Sequence, residues 1–186
     1  YVTVSNYPGT TVEVTYGNAT LNKVRTIVID TPGVNSLVPM SEDEKVTRDM
    51  LLTDRAGVVV QVADAKNLRR GLLITLQLAE MEVPFILDLN MDDEAKSRGI
   101  LIDQEKLSHI LGIEVVKTVA IRRSGIDKLL KGIQSQTVSI AACAGHWSKG
   151  MPIAKGEGIN FDTLLELDFK HVDPVSFNLE TAVRVK

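Results

Sequence analysis

Short runs of β-branched residues alternate along the chain with segments of helical periodicity, and this alternation restricts the fold more than any other sequence feature. Val24 to Ile29, Val58 to Ala63 and Phe85 to Leu89 are predicted strands. The last two are nearly continuously apolar, which is typical of strands buried on both faces. Strands separated by helices favour crossover connections between parallel neighbours. The sequence therefore predicts an α/β fold with a mainly parallel sheet.

Helix boundaries are marked by capping residues. Ser41 and Glu44 form a capping box for a helix that is expected to run toward Thr53. Asn67 is predicted to cap the next helix, whose leucines recur at helical spacing. Asp103 is predicted to cap a third helix, and a fourth follows from Ile126 to Ile133. A glycine directly after the third helix, Gly112, is a typical helix terminator.

The two ends of the chain carry weaker patterns. Val12 to Val14 predicts a short edge strand, joined to the strand at Val24 as a hairpin through a turn at Gly17-Asn18. Val115 to Val119 predicts a last short parallel strand. Beyond residue 136 the sequence becomes glycine-rich and loop-like, with two alternating, strand-like stretches at Leu165 to Phe169 and Val175 to Val185.

These patterns divide the chain into residues 1–136, an α/β domain, and residues 137–186, an unassigned Gly-rich, β-like C-terminal tail or small appendage. Strands of the tail are expected either to pair with an exposed edge of the sheet or to form a separate interaction surface.

Composition excludes several classes of protein. The 186 residues are 44% hydrophobic, which suits one globular domain with or without a small appendage. A net charge of −3 lacks the basic excess of a nucleic-acid-binding protein. The single cysteine, Cys143, excludes an internal disulfide framework. No apolar run approaches the roughly 20 residues that a membrane-spanning helix needs.

Asp30-Thr31-Pro32-Gly33 directly follows a predicted strand. A carboxylate at the carboxyl end of a strand can hold a hydrated Mg²⁺, and a following glycine lets its backbone N–H approach a phosphate. A simple turn after the strand explains the same residues. Both interpretations stay open for this motif by itself.

Asn90-Met91-Asp92-Asp93 follows the next buried strand along the chain. An aspartate accepts hydrogen bonds from the N1–H and the exocyclic amine of guanine, an arrangement that adenine lacks. The four-residue spacing assigns this role to Asp93 rather than Asp92, and Asn90 is expected to tie the loop to neighbouring backbone. A helix N-terminus with an acidic first turn is the alternative.

Val119-Ala120-Ile121 follows the last predicted parallel strand, where a backbone N–H can contact the guanine oxygen. The order of the three motifs is more informative than each motif alone. Asp30 precedes Asn90 by 60 residues, and Asn90 precedes Ala120 by 30 residues. Each motif follows a different predicted strand, as a nucleotide site at one edge of a sheet requires.

Several further runs accompany these motifs: Asn6 to Glu13, Ser36-Leu37 with Ser41 to Glu44, Asp64 to Arg70, Thr75 to Leu78, Leu89 to Ala95, Arg98 to Ile100 and Arg122 to Asp127. With them, roughly residues 1 to 135 resemble the G domain of bacterial ferrous iron transport protein B. The resemblance implies a Ras-like three-layer G domain that binds GTP/GDP with Mg²⁺. It also implies attachment to the membrane transporter domain of a parent chain, at the cytoplasmic face of the bacterial inner membrane.

The resemblance also implies roles for individual residues. Thr11, in a first switch with Gly9 and Thr10, would contact Mg²⁺ and the γ-phosphate. Asp30 would hold the ion through water, and Gly33, after Thr31 and Pro32, would sense the γ-phosphate. The guanine contacts would come from Asn90, Met91, Asp93, Val119, Ala120 and Ile121.

One departure from that family bears on activity. No G-x-x-x-x-G-K-[ST] phosphate-binding loop occurs in the 186 residues. In the family this loop and its central strand come directly before the segment that matches Tyr1 onward. Either an upstream piece that carries the loop and strand is missing from these 186 residues, or another segment fills the position of the strand. GTP hydrolysis by this chain alone is therefore left undecided.

The resulting interpretation is the GTP-binding domain of a ferrous iron transport protein, whose nucleotide state controls iron uptake through the switch segments. A fragment of this kind is expected to be soluble, and its assembly as a homo-oligomer stays open. Two alternatives also stay open: a non-catalytic interaction module derived from a G domain, or a GTPase of another family. The main interpretation involves no nucleic acid, and the absence of a basic excess also disfavours a ribosome-associated GTPase as the second alternative.

Overall fold

The computed structural model describes residues 2–21, 23–53, 57–143 and 181–185. The described strands are β1 (Val2–Asn6), β2 (Glu13–Leu21), β3 (Val24–Thr31), β4 (Val58–Asp64), β5 (Phe85–Asn90), β6 (Glu114–Lys117) and β7 (Thr181–Val185). The described α-helices are α1 (Glu42–Thr53), α2 (Leu68–Glu80), α3 (Asp92–Ser97), α4 (Gln104–Leu111) and α5 (Ile126–Cys143). Two short 3₁₀ helices, Ala65–Asn67 and Ala120–Arg122, follow β4 and β6.

All seven strands form one sheet in the order β1-β2-β3-β7-β4-β5-β6. β4, β5 and β6 pair in parallel, whereas β7 is antiparallel to both of its neighbours, β3 and β4. Since β3 and β4 are both antiparallel to β7, they point in the same direction, and β3 therefore runs the same way as β4, β5 and β6. The carboxyl ends of these four strands therefore lie along one edge of the sheet, which is called the carboxyl edge below.

Helices cover both faces of the sheet. Residues of α1 and α2 pack with Ile29, Val59 and Phe85 on one face, and α4 joins the same face through Leu107. On the opposite face, Ile86 and neighbouring strand residues pack with Ile133 of α5. The three layers confirm the predicted Ras-like α/β architecture.

The strands predicted at β3, β4, β5 and β6 and most helix signals agree with the structure. The Glu44 N–H donates to Ser41 Oγ at 3.3 Å at the start of α1. The Lys106 N–H donates to Asp103 at 2.9 Å at the start of α4, which ends at Gly112 with φ +65°. Asn67 stands at the N-cap of α2 without making a side-chain capping bond. Its amide donates instead to Asp64, whose carboxylate caps the preceding 3₁₀ helix through the Lys66 N–H.

The predicted turn at Gly17-Asn18 is wrong. Both residues lie inside β2, where they pair with Val28 and Ile27 of β3. The β2–β3 hairpin exists, but its turn lies between Leu21 and Val24, which pair with each other. A long-range ladder overrides the local turn preference here, because Gly and Asn can adopt extended backbone when both strands gain hydrogen bonds. The strand predicted at Val12 to Val14 is part of β2, which is paired on both sides, so its prediction as an edge strand is wrong. The edge strand is β1, which pairs only with β2 and which the sequence patterns did not indicate.

The C-terminal part differs from its predicted form in two ways. Helix α5 continues to Cys143, past residue 136 where loop was expected. The predicted strand from Val175 to Val185 is present over Thr181–Val185, and it occupies the centre of the sheet rather than an exposed edge. The predicted strand at Leu165 to Phe169 lies outside the described residues. A domain boundary at residue 136 stays a prediction.

Proline at Val183 tests the position of β7. Val183 is paired with Ile29 on one side and Val59 on the other. Proline removes a backbone donor and is not accommodated between two ladders, so Val183→Pro is expected to lower the free energy of unfolding by about 3 kcal/mol. Urea denaturation of the full chain measures this loss.

The matched control for that variant is Thr3→Pro, since Thr3 lies in the edge strand β1 and is paired only with Tyr16. The loss at Thr3 is expected to be smaller than that at Val183. Equal losses at the two positions, or none at Val183, would contradict a central β7.

Candidate functional site

The side chain of Asn90 connects two loops at the carboxyl edge. Its Oδ1 accepts the Met91 N–H at 2.8 Å and the Ala120 N–H at 3.1 Å. Met91 has φ +61°, a left-handed conformation that turns the chain from β5 into α3. The Asp92 N–H also donates to the Thr118 carbonyl at 3.3 Å. The loop after β5 and the loop after β6 are thereby held as one unit.

The loop after β6 is closed by a small bridge of its own. Val119 and Ser124 exchange backbone hydrogen bonds of 3.0 and 3.2 Å, and the 3₁₀ turn between them places Ala120 and Ile121 at the surface. Gly125 follows with φ +81° and its Cα packed against the Lys117 carbonyl. This packing determines where the loop leaves β6 and where α5 begins.

Asp93 lies at the start of α3 beside this loop, with 28% of its side chain exposed. Its Oδ2 is 3.4 Å from Nη2 of Arg122, whose side chain is 71% exposed. Asp92 points elsewhere: it is buried and forms ion pairs with Lys96 at 2.6 Å and Lys117 at 3.6 Å. The accessible carboxylate of the pair is therefore Asp93. The acidic first turn considered in the alternative interpretation is also present, since Asp92, Asp93 and Glu94 open α3.

A lysine from the β4 end reaches the same unit. Lys66 Nζ forms an ion pair with Glu94 and lies 3.4 Å from the sulfur of Met91 and 3.8 Å from Asp64 Oδ2. Its side chain is mostly buried by these contacts. Lys66 and Arg122 were not among the predicted site residues. Lys66 and Arg122 come close to the start of α3 because β4, β5 and β6 pair side by side, and no local sequence pattern shows this pairing.

The predicted first switch forms a tight turn between β1 and β2. The Tyr7 N–H donates to the Val12 carbonyl at 2.8 Å, and Thr10 Oγ1 donates to the Tyr7 carbonyl at 3.0 Å. Gly9 adopts φ +81° in this turn. The Thr10 hydroxyl is engaged within the loop, whereas Thr11 is exposed. Thr11 is thus the threonine that faces solvent.

Asp30 and Gly33 lie at the end of β3 on the same edge. Partial burial raises the pKa of Asp30 above its ordinary value, although much of its side chain is exposed. The Pro32 carbonyl accepts the Thr47 hydroxyl at 3.3 Å, which ties this segment to α1. Thr31 is buried and Gly33 is exposed. The carboxylate and the glycine backbone therefore stand where β3 meets solvent.

The segment after Gly33 is fastened to α2. The Leu37 N–H donates to Gln77 Oε1 at 2.8 Å, and Gln77 Nε2 donates to Ser36 Oγ at 3.1 Å. Beyond this clamp, Val38 and Met40 are largely exposed. The structure therefore places the predicted residues in two groups, one at the ends of β5 and β6 and one around β2 and β3.

A buried carboxylate lies behind the residues at the ends of β5 and β6, and the sequence analysis did not predict it. Asp88, in the middle of β5, accepts the Thr118 hydroxyl at 2.7 Å. Burial raises the pKa of Asp88 to about 6, and the Thr118 hydroxyl opposes that shift. The signal was present in the sequence, because an aspartate interrupts an otherwise apolar strand.

Among residues that the structure describes, no cluster of three or more His, Cys, Asp or Glu side chains suited to a metal ion is found. No helix in the described ranges is both long and apolar enough to cross a membrane.

The family model described as ferrous iron transport protein B matches residues 1–133. The chain belongs to this family. The matched segment contains every residue of both groups at the carboxyl edge, from Gly9 to Ile121. The FeoB resemblance inferred from the motifs is thereby confirmed, and so is the assignment of the fold as a FeoB-type G domain.

Individual FeoB relatives extend over different shares of the chain. The Fe(2+) transport protein A/Fe(2+) transporter FeoB fusion protein of Porphyromonas gingivalis is 40% identical over 127 residues, 68% of this chain and 15% of the relative. The Fe(2+) transporter FeoB of Salmonella typhi is 32% identical over 167 residues, 88% of this chain and 21% of the relative. The chain therefore spans about a fifth or less of the length of these transporters.

Solved FeoB structures have the same architecture. The cytosolic domain of the T. maritima FeoB iron transporter in a GDP form superposes with a TM-score of 0.70 at 39% identity, covering 73% of this chain and 54% of that one. Its GMPPNP form superposes with a TM-score of 0.69 at 39% identity, covering 73% and 54%. The G domain of Methanococcus jannaschii FeoB gives 0.64 at 41% identity, covering 66% and 79%.

Alanine at Gly125 tests how the β6 loop is held. A Cβ added there would lie 2.1 Å from the Lys117 carbonyl oxygen, in a backbone conformation that already disfavours side chains. Gly125→Ala is expected to lower the free energy of unfolding by at least about 2 kcal/mol more than Gly112→Ala. Gly112 is the matched control, because its φ is +65° and no atom lies within 4 Å of the added Cβ. Thermal or urea unfolding measures both; equal losses would contradict the close approach.

Proposed function

We propose that this chain is the guanine-nucleotide-binding domain of a ferrous iron transporter, with the nucleotide bound along the carboxyl edge. The observation that carries the proposal is the junction at Asn90, which holds the Met91 and Ala120 backbones together beside the accessible carboxylate of Asp93. The T. maritima relatives described in GDP and GMPPNP forms support the same ligand class.

Asp93 is the residue proposed to select guanine. Its carboxylate can accept hydrogen bonds from the guanine N1–H and exocyclic amine, whereas adenine offers no such pair of donors. Arg122, which lies 3.4 Å from Asp93 Oδ2 in this structure, has to leave that oxygen when the base binds, whereas Oδ1 accepts the Glu94 N–H at 3.0 Å. The Val119 and Ala120 N–H groups already donate to Ser124 and Asn90, so we assign the contact with the guanine oxygen to the N–H of Ile121.

The second group of residues is proposed to serve the phosphates and Mg²⁺. Thr11 and Asp30 supply exposed oxygen ligands, the type that Mg²⁺ prefers, and a nearby cation would favour the ionised form of Asp30 against its partial burial. The donor set therefore fits the ion. When bound, Mg²⁺ neutralises charge on the phosphate oxygens. The Gly33 backbone, free of a side chain, is proposed to approach the terminal phosphate.

Nucleotide state is proposed to act on the longer protein through the two switch segments. Contacts of Thr11 and Gly33 with a terminal phosphate would order both segments, and loss of that phosphate would release them. The segment after Gly33 is held to α2 by Gln77, so a shift at Gly33 would reach α2 and the exposed Val38 and Met40. Control of iron transport across the cytoplasmic membrane would be exerted by the transporter of which this chain forms a part.

The position of β7 favours a second candidate function. A strand that runs antiparallel to both β3 and β4 lies between them, with Thr181 paired to Thr31 at the end of β3 and to Gln61 in the middle of β4. No phosphate-binding loop motif occurs in the 186 residues. A G-domain scaffold with β7 between β3 and β4 and without this loop would not bind nucleotide tightly. It would instead present its switch segments to a protein partner.

Titration with a fluorescent GDP analogue in Mg²⁺, with unlabelled GDP and ADP as competitors, separates the two functions. Micromolar binding displaced by GDP and not by ADP is the expected result. Absence of binding up to millimolar concentration, in a chain that circular dichroism shows to be folded, would overturn nucleotide binding by this chain and favour the interaction module.

Replacing Asp93 tests base selection directly. In Asp93→Asn the amide still accepts the N1–H, but its NH₂ group faces the exocyclic amine of guanine as a second donor. We expect at least tenfold weaker GDP binding, about 1.4 kcal/mol, and a gain of xanthosine diphosphate binding, since xanthine carries an oxygen at that position. Competition titrations with both diphosphates measure the change.

Glu94→Gln is the matched control for Asp93→Asn, because it makes the same change of charge one residue later on α3. Glu94 is directed toward Lys66 rather than Arg122. GDP and xanthosine diphosphate affinities of Glu94→Gln should keep their wild-type ratio. A wild-type ratio in Asp93→Asn as well would contradict the role of Asp93.

A further inference from the structure

Asp88 is a carboxylate placed inside the protein directly behind the base site. It is 4% exposed and lies on the α5 face of β5, two residues before Asn90. Within the described part of the chain, its side chain accepts a hydrogen bond from the hydroxyl of Thr118, which is itself 1% exposed. Burial of an ionisable group without a counter-charge costs free energy of folding. Packing alone therefore does not explain an aspartate at this position.

The Thr118 hydroxyl lies between two acceptors. Its Oγ1 is 2.7 Å from Asp88 Oδ1 and 3.4 Å from Asn90 Oδ1. A hydroxyl has one proton to donate, and an ionised carboxylate is the stronger acceptor. When Asp88 is ionised, the proton therefore points to Asp88. When Asp88 is protonated, its own O–H can donate to Thr118, which frees the Thr118 proton for Asn90.

We propose that Asp88 is a positioning residue of the base site, which acts through the Thr118 hydroxyl on Asn90 and makes guanine-nucleotide affinity higher at low pH. In the protonated state Asn90 Oδ1 gains a third donor beside the Met91 and Ala120 N–H groups. The loops that carry Asp93 and Ile121 are then held more firmly. This inference rests on the proposed function of the same site.

The hydrogen bonds that link Asp88, Thr118 and Asn90 are called the relay. The nearby charged side chains on β4 and β6 are engaged with other partners. On β4, Asp64 is engaged with Lys66 and Asn67. On β6, Lys117 is directed to Asp92 and the Ile102 carbonyl, and Glu114 lies against Gly132 of α5. The remaining charged residues in the first turns of α5 are Asp127, Lys128 and Lys131. Burial raises the pKa of Asp88, and the hydrogen bond from the Thr118 hydroxyl lowers it in part.

The sign of the pH effect on stability follows from that shift. Burial raises the pKa of Asp88 to about 6 in the folded protein, against an ordinary value of 3.8. Between these two values the folded state binds more protons than the unfolded state, so stability falls as pH rises through this window. Neutral Asp88→Asn should lack this contribution, which gives a readout that needs no nucleotide.

The binding test compares wild type with Asp88→Asn, an isosteric and permanently neutral side chain that can still donate to Thr118. Dissociation constants of a fluorescent GDP analogue are measured from pH 5.5 to 8, and the wild-type-to-variant ratio at each pH cancels every pH dependence that the two proteins share. The ratio should be near one at pH 5.5, with the variant binding about three- to tenfold more tightly at pH 7.5. A ratio independent of pH would overturn the proposal.

Thr118 variants separate the relay from a direct effect of charge. In a Thr118→Val background, Asp88→Asn should no longer change GDP affinity, whereas Thr118→Ser should keep the pH-dependent ratio. An undiminished effect of Asp88→Asn in Thr118→Val would contradict the relay. Thr118→Ser keeps the test usable where the valine variant does not fold.

Nucleotide-free protein provides the readout that distinguishes this inference from the proposed function. The amide NMR signals of Met91 and Ala120 should shift with a midpoint near pH 6 in wild type and stay constant in Asp88→Asn. A flat wild-type profile overturns the relay. A clear titration in a chain that binds no GDP at any pH supports the relay and overturns the proposed function.

Discussion

Burial of β4 and β5 on both faces determines where polar side chains can lie in this protein. Helices α1 to α4 cover one side of these strands and α5 covers the other, so a polar side chain inside either strand must find its partner within the protein. Gln61 does so by donating to the Gly71 carbonyl and accepting the Thr75 hydroxyl. Asp88 does so through Thr118. The remaining polar groups are displaced to the strand ends, and because β3 to β6 run the same way, those ends meet at one edge.

At that edge a single side-chain oxygen joins the two loops that carry the proposed base contacts. Asn90 Oδ1 accepts backbone N–H groups from its own loop and from the loop after β6, so neither loop can move without the other. Gly125 fixes the far end of the second loop against β6. The positions of Asp93 and Ile121 are therefore consequences of backbone geometry.

Much of the fold follows from local pattern. The apolar runs at β4 and β5, the capping box at Ser41 and the Asp103 cap each depend on neighbouring residues and were predicted correctly. The turn at Gly17-Asn18 was wrong because pairing with β3 overrides the local preference. Of the site residues, the motif positions were visible in the sequence, whereas Lys66, Arg122 and Thr118 were not. Their contacts join segments separated by about thirty residues, and no local periodicity encodes them.

The sequence by itself determined the types of the elements, the order of the three motifs and the membership of the FeoB family, because propensity, capping and motif spacing act over a few residues or along the chain. Only the tertiary structure decided that β7 lies between β3 and β4, that Asp93 and not Asp92 is accessible, and that the Thr118 hydroxyl stands between Asp88 and Asn90. These facts depend on which strands become neighbours and which faces become buried. That choice is made by the free energy of the whole sheet and its two helical layers, not by any segment within it.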